Sequence, residues 1–510
     1  MKKNKIVSLI LAAAVAAGAL AGCAGPSGGA PASSGDAGGQ AAAGEKLDTS
    51  KEVELVMYEI GDRPTGQDVA DENLNKILKE KLNCTLKISW IPWADYANKY
   101  PLLFSSGETF DFSYAATWLN FYSMAQKGAF KSLDDLWPQY APKNYAAQSK
   151  AALQEAKVNG HYYCVPTLLA TYSAVGPLYR TDIVKDAGWS GKMENFADVE
   201  AYCDIVKKTH PEMEPLDIYS LGSEWDDPYL RLLGYRASNG TTGDFLYFDP
   251  TQKNPKLTAL YEIPQVNDFL ATMTRWNQKG FFIKSALSDT DSTKLQNGKA
   301  AMKTHNLDDF SGMAILHPEY GMAYANFDKH VSHLPYVQDC MVISNTSPNP
   351  ERAMALWELV TSDREVYDAF MYGVKDVTYT LNDKGQYKIT DTNKYAVSDM
   401  WAGRTTELNR DAVGTPDAYE EWKKTFEKNI ASDDSAERYV GFMIDTSKIE
   451  TEYDACVSVQ KQYWWPLELG YTDAKTGLAE YKQKIEAAGI EKVRAELQKQ
   501  LDDYVANMGK

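Results

Sequence analysis

Positive charge is short in this sequence: 53 lysines and arginines face 70 aspartates and glutamates among 510 residues, a formal net charge of −17. So acidic a body repels the phosphates of nucleic acid and of anionic lipid, and no polynucleotide partner is expected. Histidine is scarce, with six copies, and the six cysteines include no CxxC pair. A zinc site or a disulfide framework is therefore not expected. Neither an HExxH helix nor a P-loop occurs, which removes the metalloprotease and nucleotide-binding signatures. Long apolar runs are missing too. The run Ile6 to Ala21 has about sixteen residues, short of the roughly twenty that a bilayer-spanning helix requires.

That run has a different meaning. Lys2, Lys3 and Lys5 precede it, and a charged segment followed by an apolar one reads as an export signal, here residues 1–22. Its end, Leu20-Ala21-Gly22-Cys23, resembles the lipobox of bacterial lipoproteins. The resemblance implies cleavage before Cys23, which then carries a diacylglyceryl thioether as the mature N-terminus. Two acyl chains of the palmitate kind anchor stably, at about 0.8 kcal/mol per buried methylene. Residues 24–44 are almost only Ala, Gly, Ser and Pro, with Asp36 as their sole charge, so no apolar face offsets the entropy of ordering them. Residues 23–50 read as a flexible tether on a lipid foot. Loss of the signal removes three lysines and leaves the mature chain at −20.

The chain beyond the tether exceeds one ordinary core, and two or more domains are expected. Cys84, Cys164, Cys203, Cys340 and Cys456 are widely spaced and read as buried free thiols, since isolated cysteines behave as small core hydrophobes. The folded part opens with VELVMY at Val53 to Tyr58, a strand. Leu74, Ile77, Leu78 and Leu82 then keep helical spacing, and Cys84, Leu86, Ile88 and Trp90 alternate as a strand does. With a helix as crossover, the two strands should pair in parallel. A domain change suits Cys164 to Pro166. GKAAMKTHN and CMVISNTSPNPERAMALWELV pair further strands with a helix, with Asn349 and Pro350 placed to start the latter. The segment DTDSTK at Asp289 to Lys294 lacks the glycine and glutamate of a calcium loop and reads as a solvated turn.

In this order, the chain resembles the extracellular solute-binding lipoproteins of carbohydrate-type ABC importers, family 1-like and of the Gram-positive branch. The pieces that carry the likeness are the lipobox, YEIGDRP, SSGETFDF, KGAFKSLDDLWPQYAP, VNGHYYCVP, NGKAAMKTHN, NPERAMALWELVTSD, and YGVKDVTYTLN followed by MWAGR. The family fold implied is α/β: a two-lobe, type II periplasmic-binding-protein-like fold with hinge-linked lobes and a ligand cleft between them. Carried onto this chain, crossings fall near Cys164, Met302 and Ser344. One lobe then holds residues 51–164 and 303–345, and the other 165–302 and 346–510.

A sugar offers apolar C–H faces and a rim of hydroxyls, so its receptor needs flat aromatic rings beside fixed charged or amide groups. Tyr58, Asp62 and Arg63 follow the first strand, where open α/β sheets place ligands. Asp62 accepts from hydroxyls and Arg63 donates through a fixed fork, with a surface ion pair as the bland alternative. Trp93 follows the second strand, and Trp118 follows the strand after it. From the other lobe come Tyr172, Trp225 in GSEWDDP, and Trp401 with Arg404 in MWAGR. Asn306 lines the second crossing. No catalytic residue, metal ligand or cofactor is expected. The function implied is a monomeric substrate-binding receptor on the outer face of the cell membrane, capturing an oligosaccharide for an ABC permease. A peptide or other small solute on the same fold, or a lipid-anchored glycan hydrolase, are the alternatives.

Overall fold

The computed structural model describes residues 47–219, 225–239 and 244–507. The expected export signal, Cys23 and the tether through residue 46 lie outside the described residues.

The first sheet is built as the sequence pattern dictates. Val53–Ile60 buries Leu55 and Met57, and the helix Gln67–Leu82 buries Leu74, Leu78 and Leu82 on one face. The crossover returns the chain as Cys84–Ile91, parallel and in register from Val53↔Cys84 to Ile60↔Ile91. Phe112–Ala115 pairs in parallel on the other side of the first strand. Cys340–Ile343 then adds antiparallel to it, and Val165–Pro166 closes that edge. Five strands thus form one sheet, and the carboxyl ends of its three parallel strands carry the loops after residues 60, 91 and 115.

A second sheet of four strands runs in the order Ala323–Tyr324, Val175–Tyr179, Ala300–Asn306, Glu214–Leu216. Gly176 is required there, because a Cβ at that position would lie 1.9 Å from the Ala325 carbonyl oxygen. The helices Phe196–Thr209, Val266–Lys279 and Ile490–Asn507 pack into its core. The last of these does so through Ile490, Val493, Leu497 and Leu501. Among the described residues the buried apolar side chains form two large cores and a smaller third one around Leu178, Ala300, Leu307 and Phe310. The first gathers residues from Leu55 to Val165 and from Val337 to Ala402. The second gathers Tyr179 to Met302, Ala325, Phe327 and Tyr439 to Leu501.

The expected division at residues 303–345 and 346–510 is corrected by these packings. Met302 is no crossing: Met302 to Asn306 pair residue by residue with Tyr179 to Val175, and a strand paired along its length stays in its sheet. The chain returns to the first sheet only between Phe327 and Cys340. Residues 346–402 join the first core because the helix Pro350–Ser362 buries Ala353, Met354, Leu356, Trp357 and Val360 against it. Asn349 precedes that helix without a side-chain cap; its backbone N–H donates to Asp111 instead.

All five cysteines beyond residue 46 are buried free thiols. The turn expected at DTDSTK is solvated only in part. Lys294 turns inward and donates to Asp289 at 2.8 Å, Glu214 at 3.0 Å and the Ile218 carbonyl at 3.0 Å. Its ammonium lies 3.5 Å from the buried Asp217 and, together with Lys303, supplies the counter-charge to that carboxylate.

Candidate functional site

Three loops at one end of the first sheet each deliver a tryptophan. Pro92 ends the second strand and Trp93 follows it. Trp118 sits in the single turn Thr117–Leu119, just after the strand Phe112–Ala115. Trp401 opens the turn Trp401–Gly403. All three are half-buried. Trp93 is the shared member of two stacked pairs, 6.3 Å and 26° from Trp118 and 5.7 Å and 23° from Trp401. Tyr96 meets Trp93 and Trp118 edge-on at 5.7 and 5.5 Å. The buried Tyr114 supports the array from the core, 5.9 Å from Trp401 at 89°. Near-parallel rings held by edge contacts make a rigid apolar surface of the kind that accepts the C–H face of a sugar.

Beside the array is a polar relay. The Tyr114 hydroxyl donates to Asp339 at 2.6 Å, and the Arg404 guanidinium reaches Asp339 at 3.1 Å and Asp308 at 3.4 Å. The Tyr419 hydroxyl donates to the other Asp308 oxygen at 2.9 Å. Asp308 lies in the first turn of the helix Leu307–Leu316, which packs on the second sheet, whereas Asp339 and Arg404 flank the first core. Arg404 therefore links the two bodies next to the tryptophans. Burial works against its charge, yet Asp339 and Asp308 more than offset that and raise its pKa.

Under the array lie two carboxylates. Glu59 is fully buried on the first strand and accepts from the Ser398 hydroxyl at 2.8 Å. Burial, and then the charge of Asp399, push its pKa up to about 8. Asp399 accepts from Trp93 Nε1 at 3.4 Å. Burial lifts its pKa to about 6 against the lowering effect of that N–H, with Asp62 adding to the rise. Glu59, Asp62, Gln67, Trp90, Tyr372 and Asp399 line one crevice.

Of the residues singled out in the sequence, the structure gathers Trp93, Trp118, Trp401 and Arg404, and it places Asp62 in the adjoining crevice. The others lie apart. Tyr58 gives its hydroxyl to Glu108 and packs edge-on against Phe110. Arg63 pairs with Asp68 at 2.5 Å and Asp71 at 3.3 Å, the surface ion pair of the bland reading. Tyr172 lies on the crossover chain, its hydroxyl on Glu427 at 2.7 Å and its ring 5.6 Å from His333. Asn306 caps the helix Leu307–Leu316 by accepting from the Asp309 N–H at 2.9 Å. Trp225 is corrected: it is 1% exposed, with Phe196 and Trp276 packed edge-on against it at 5.6 and 5.3 Å. A ring enclosed on those sides cannot meet a solute. Sequence reasoning missed Tyr114, Asp308, Asp339 and Asp399. Only Asp399 carried a signal, an acid two residues before a chosen tryptophan.

A family profile described as "Bacterial extracellular solute-binding protein" matches residues 63–367. The chain belongs to that family. A second profile, described as a domain of unknown function (DUF3502), matches residues 438–506 of this solute-binding protein. A relative from Streptococcus pneumoniae called "Carbohydrate ABC transporter substrate-binding protein" is 23% identical over 470 residues, 90% of this chain and 92% of its own. The crystal structure of an N-glycan transport solute binding protein from S. pneumoniae, in complex with Man1GlcNAc, matches at 22% identity and a TM-score of 0.74, covering 89% of this chain and 100% of that one. An HMO-binding solute-binding protein from Bifidobacterium longum infantis matches at 13% identity and a TM-score of 0.61, over 89% and 99% of the two chains. These likenesses give the two-lobe, type II α/β fold. The family is one of extracellular binding proteins.

Proposed function

We propose that this solute-binding protein is the receptor of an ABC import system, holding an oligosaccharide against Trp93, Trp118 and Trp401 and delivering it to a membrane permease. The single observation that carries the sugar reading is the stacked tryptophan array, half-exposed and beside a fixed guanidinium and carboxylates. Flat rings take the C–H faces of pyranoses, and the carboxylates and Arg404 take hydroxyls. The names of the S. pneumoniae relatives support the same class. Asp62, next to the array, is retained as a ligand contact; Tyr58, Arg63, Tyr172 and Asn306 are not.

Capture here is binding without turnover. Open and closed forms exchange by hinge bending, and a ligand favours closure only to the extent that it touches both bodies. Cys23 carries the lipid that keeps a monomeric receptor on the outer face of the membrane beside its permease. The test is a titration of the mature chain with a glycan panel that includes Man5GlcNAc, the ligand in another solved complex of the N-glycan transport protein, followed by tryptophan fluorescence. A saturable response to glycans is expected, and Trp401→Ala or Trp93→Ala should weaken it by about 1–3 kcal/mol, the size of an aromatic hot spot. No response to any glycan beside a clear response to peptides would reject the sugar reading.

A further inference from the structure

We infer that Asp399 is the positioning residue of the tryptophan array, holding Trp93 through its side chain and Trp401 through its backbone so that the two indoles stay stacked. The inference rests on the sugar-binding reading for its consequence but not for its geometry. The Asp399 carboxylate accepts from Trp93 Nε1 at 3.4 Å, while the Asp399 carbonyl accepts from the Trp401 N–H at 2.8 Å. One residue thereby grips both members of the 5.7 Å pair.

The surroundings are built for this approach. A Cβ on Gly61 would lie 2.5 Å from Asp399 Oδ2, so the glycine at the end of the first strand leaves the space the carboxylate occupies. On the other side, the chain around Asp399 is fixed before Trp401 begins. Ser398 donates from its backbone N–H to the Met371 carbonyl at 3.0 Å and from its hydroxyl to Glu59 at 2.8 Å. The Met400 N–H returns to the Ser398 hydroxyl at 3.1 Å. Asp399 thus projects from an anchored turn, not a free loop, and an anchored acceptor can set the direction of an indole N–H. Trp93 gains a defined ring plane, and its partner pair to Trp118 at 26° follows from it.

The groups facing Asp399 are Glu59, Asp62 and Trp93; after burial, the Trp93 N–H favours the Asp399 carboxylate and the charge of Asp62 disfavours it, while Glu59, itself raised to about 8, is neutral where Asp399 titrates. Its ionised form is the stronger acceptor for the Trp93 N–H. Burial lifts its pKa to about 6, so the hold is strongest above that pH and weakens as acid is added.

Asp399→Asn, Asp399→Ala and Trp93→Phe variants of the mature chain test the assignment with two readouts. Without any ligand, near-ultraviolet circular dichroism of the stacked indoles should fall in both Asp399 variants while far-ultraviolet spectra stay unchanged. With Man5GlcNAc as probe, wild-type affinity should fall severalfold on acidification through about pH 6. Asp399→Asn should start severalfold weaker and lose that pH dependence. Added to Trp93→Phe, which has no N–H to give, Asp399→Asn should do nothing further. Unchanged indole dichroism in both Asp399 variants, or a full effect of Asp399→Asn in the Trp93→Phe background, overturns the assignment. If wild type ignores the glycan, the sugar reading fails while the dichroism still decides the role of Asp399.

Discussion

Two tryptophan clusters sit on the two large cores, one with its rings half-open to solvent and the other with its rings buried. On the first core, Trp93, Trp118 and Trp401 come from three loops, each just beyond a strand or turn. On the second, Phe196 stacks on Trp276 at 5.4 Å and 11°, and Trp225 abuts Trp276 at 5.3 Å and 89°. The ring geometry is alike; the origin of the rings is not. Trp276 keeps helical phase with Phe269, Leu270 and Met273 on the buried face of Val266–Lys279, so the helix itself drives it inward. The lesson is that a tryptophan in register with an apolar periodicity belongs to the core, whereas one that breaks a pattern after a proline or a strand end is free to serve a site.

The largest expected effect breaks the comparison from the core side. Trp276→Ala should destabilise the protein by about 3–5 kcal/mol, as truncation of a fully buried ring does, read as a drop in melting temperature. Glycan affinity of the folded fraction should stay at the wild-type level. A loss of affinity without a loss of stability would mean that the second cluster, not the first, meets the ligand.

The same contrast shows how far the site was legible in the sequence. Trp93 was found because Pro92 stops the strand pattern just before it, and Trp401 was reached through MWAGR, one of the pieces that carry the family resemblance. Trp225 was chosen from GSEWDDP, yet Asp226 and Asp227, which follow it, are buried with it. Asp226 accepts from the Trp464 indole at 2.9 Å, and Asp227 pairs at 2.6 Å with the buried Arg231, which also reaches Asp328 at 2.8 Å. Paired charge can be buried, and pairing between residues distant along the chain has no local signature. Asp308 and Asp339 were invisible for that reason: their partners, Arg404, Tyr419 and Tyr114, lie far from them along the chain. The first parallel unit, by contrast, was legible in full, since its strands and helix each show their own period. The body boundaries failed where a paired strand, Ala300–Asn306, was read as a crossing.

A second difference between the clusters is titratable. The array stands over Glu59 and Asp399, raised to about 8 and about 6, chiefly by burial. A carboxyl group whose pKa is raised on folding stabilises fully below its unfolded value and loses that contribution as pH rises through its folded value. For Glu59 the window runs from about 4.5 to about 8. Glu155, raised to about 7 mainly by burial, acts in the same sense. Stability should therefore increase as pH is lowered from 8 towards 5, by about 1.4 kcal/mol per pH unit for each proton taken up. Glu59→Gln should flatten that slope by up to one proton, measured by thermal melts across the window. An unchanged slope would mean that the ground beneath the array is no more titratable than the core around Trp276.

The smallest effect sharpens the edge of the site. Arg63 was chosen for the same reason as Trp93, its place after a strand of the first sheet, yet its guanidinium is 39% exposed and is spent on Asp68 and Asp71. An exposed pair of this kind contributes about 0.2–1 kcal/mol. Arg63→Ala should lower the melting temperature slightly and leave Man5GlcNAc binding untouched, because nothing ties it to the stacked indoles. If the variant instead bound as weakly as Trp401→Ala, the ligand would have to extend along the turn after the first strand. The aromatic array would then be one wall of a longer groove, and the crevice that contains Asp62 its continuation.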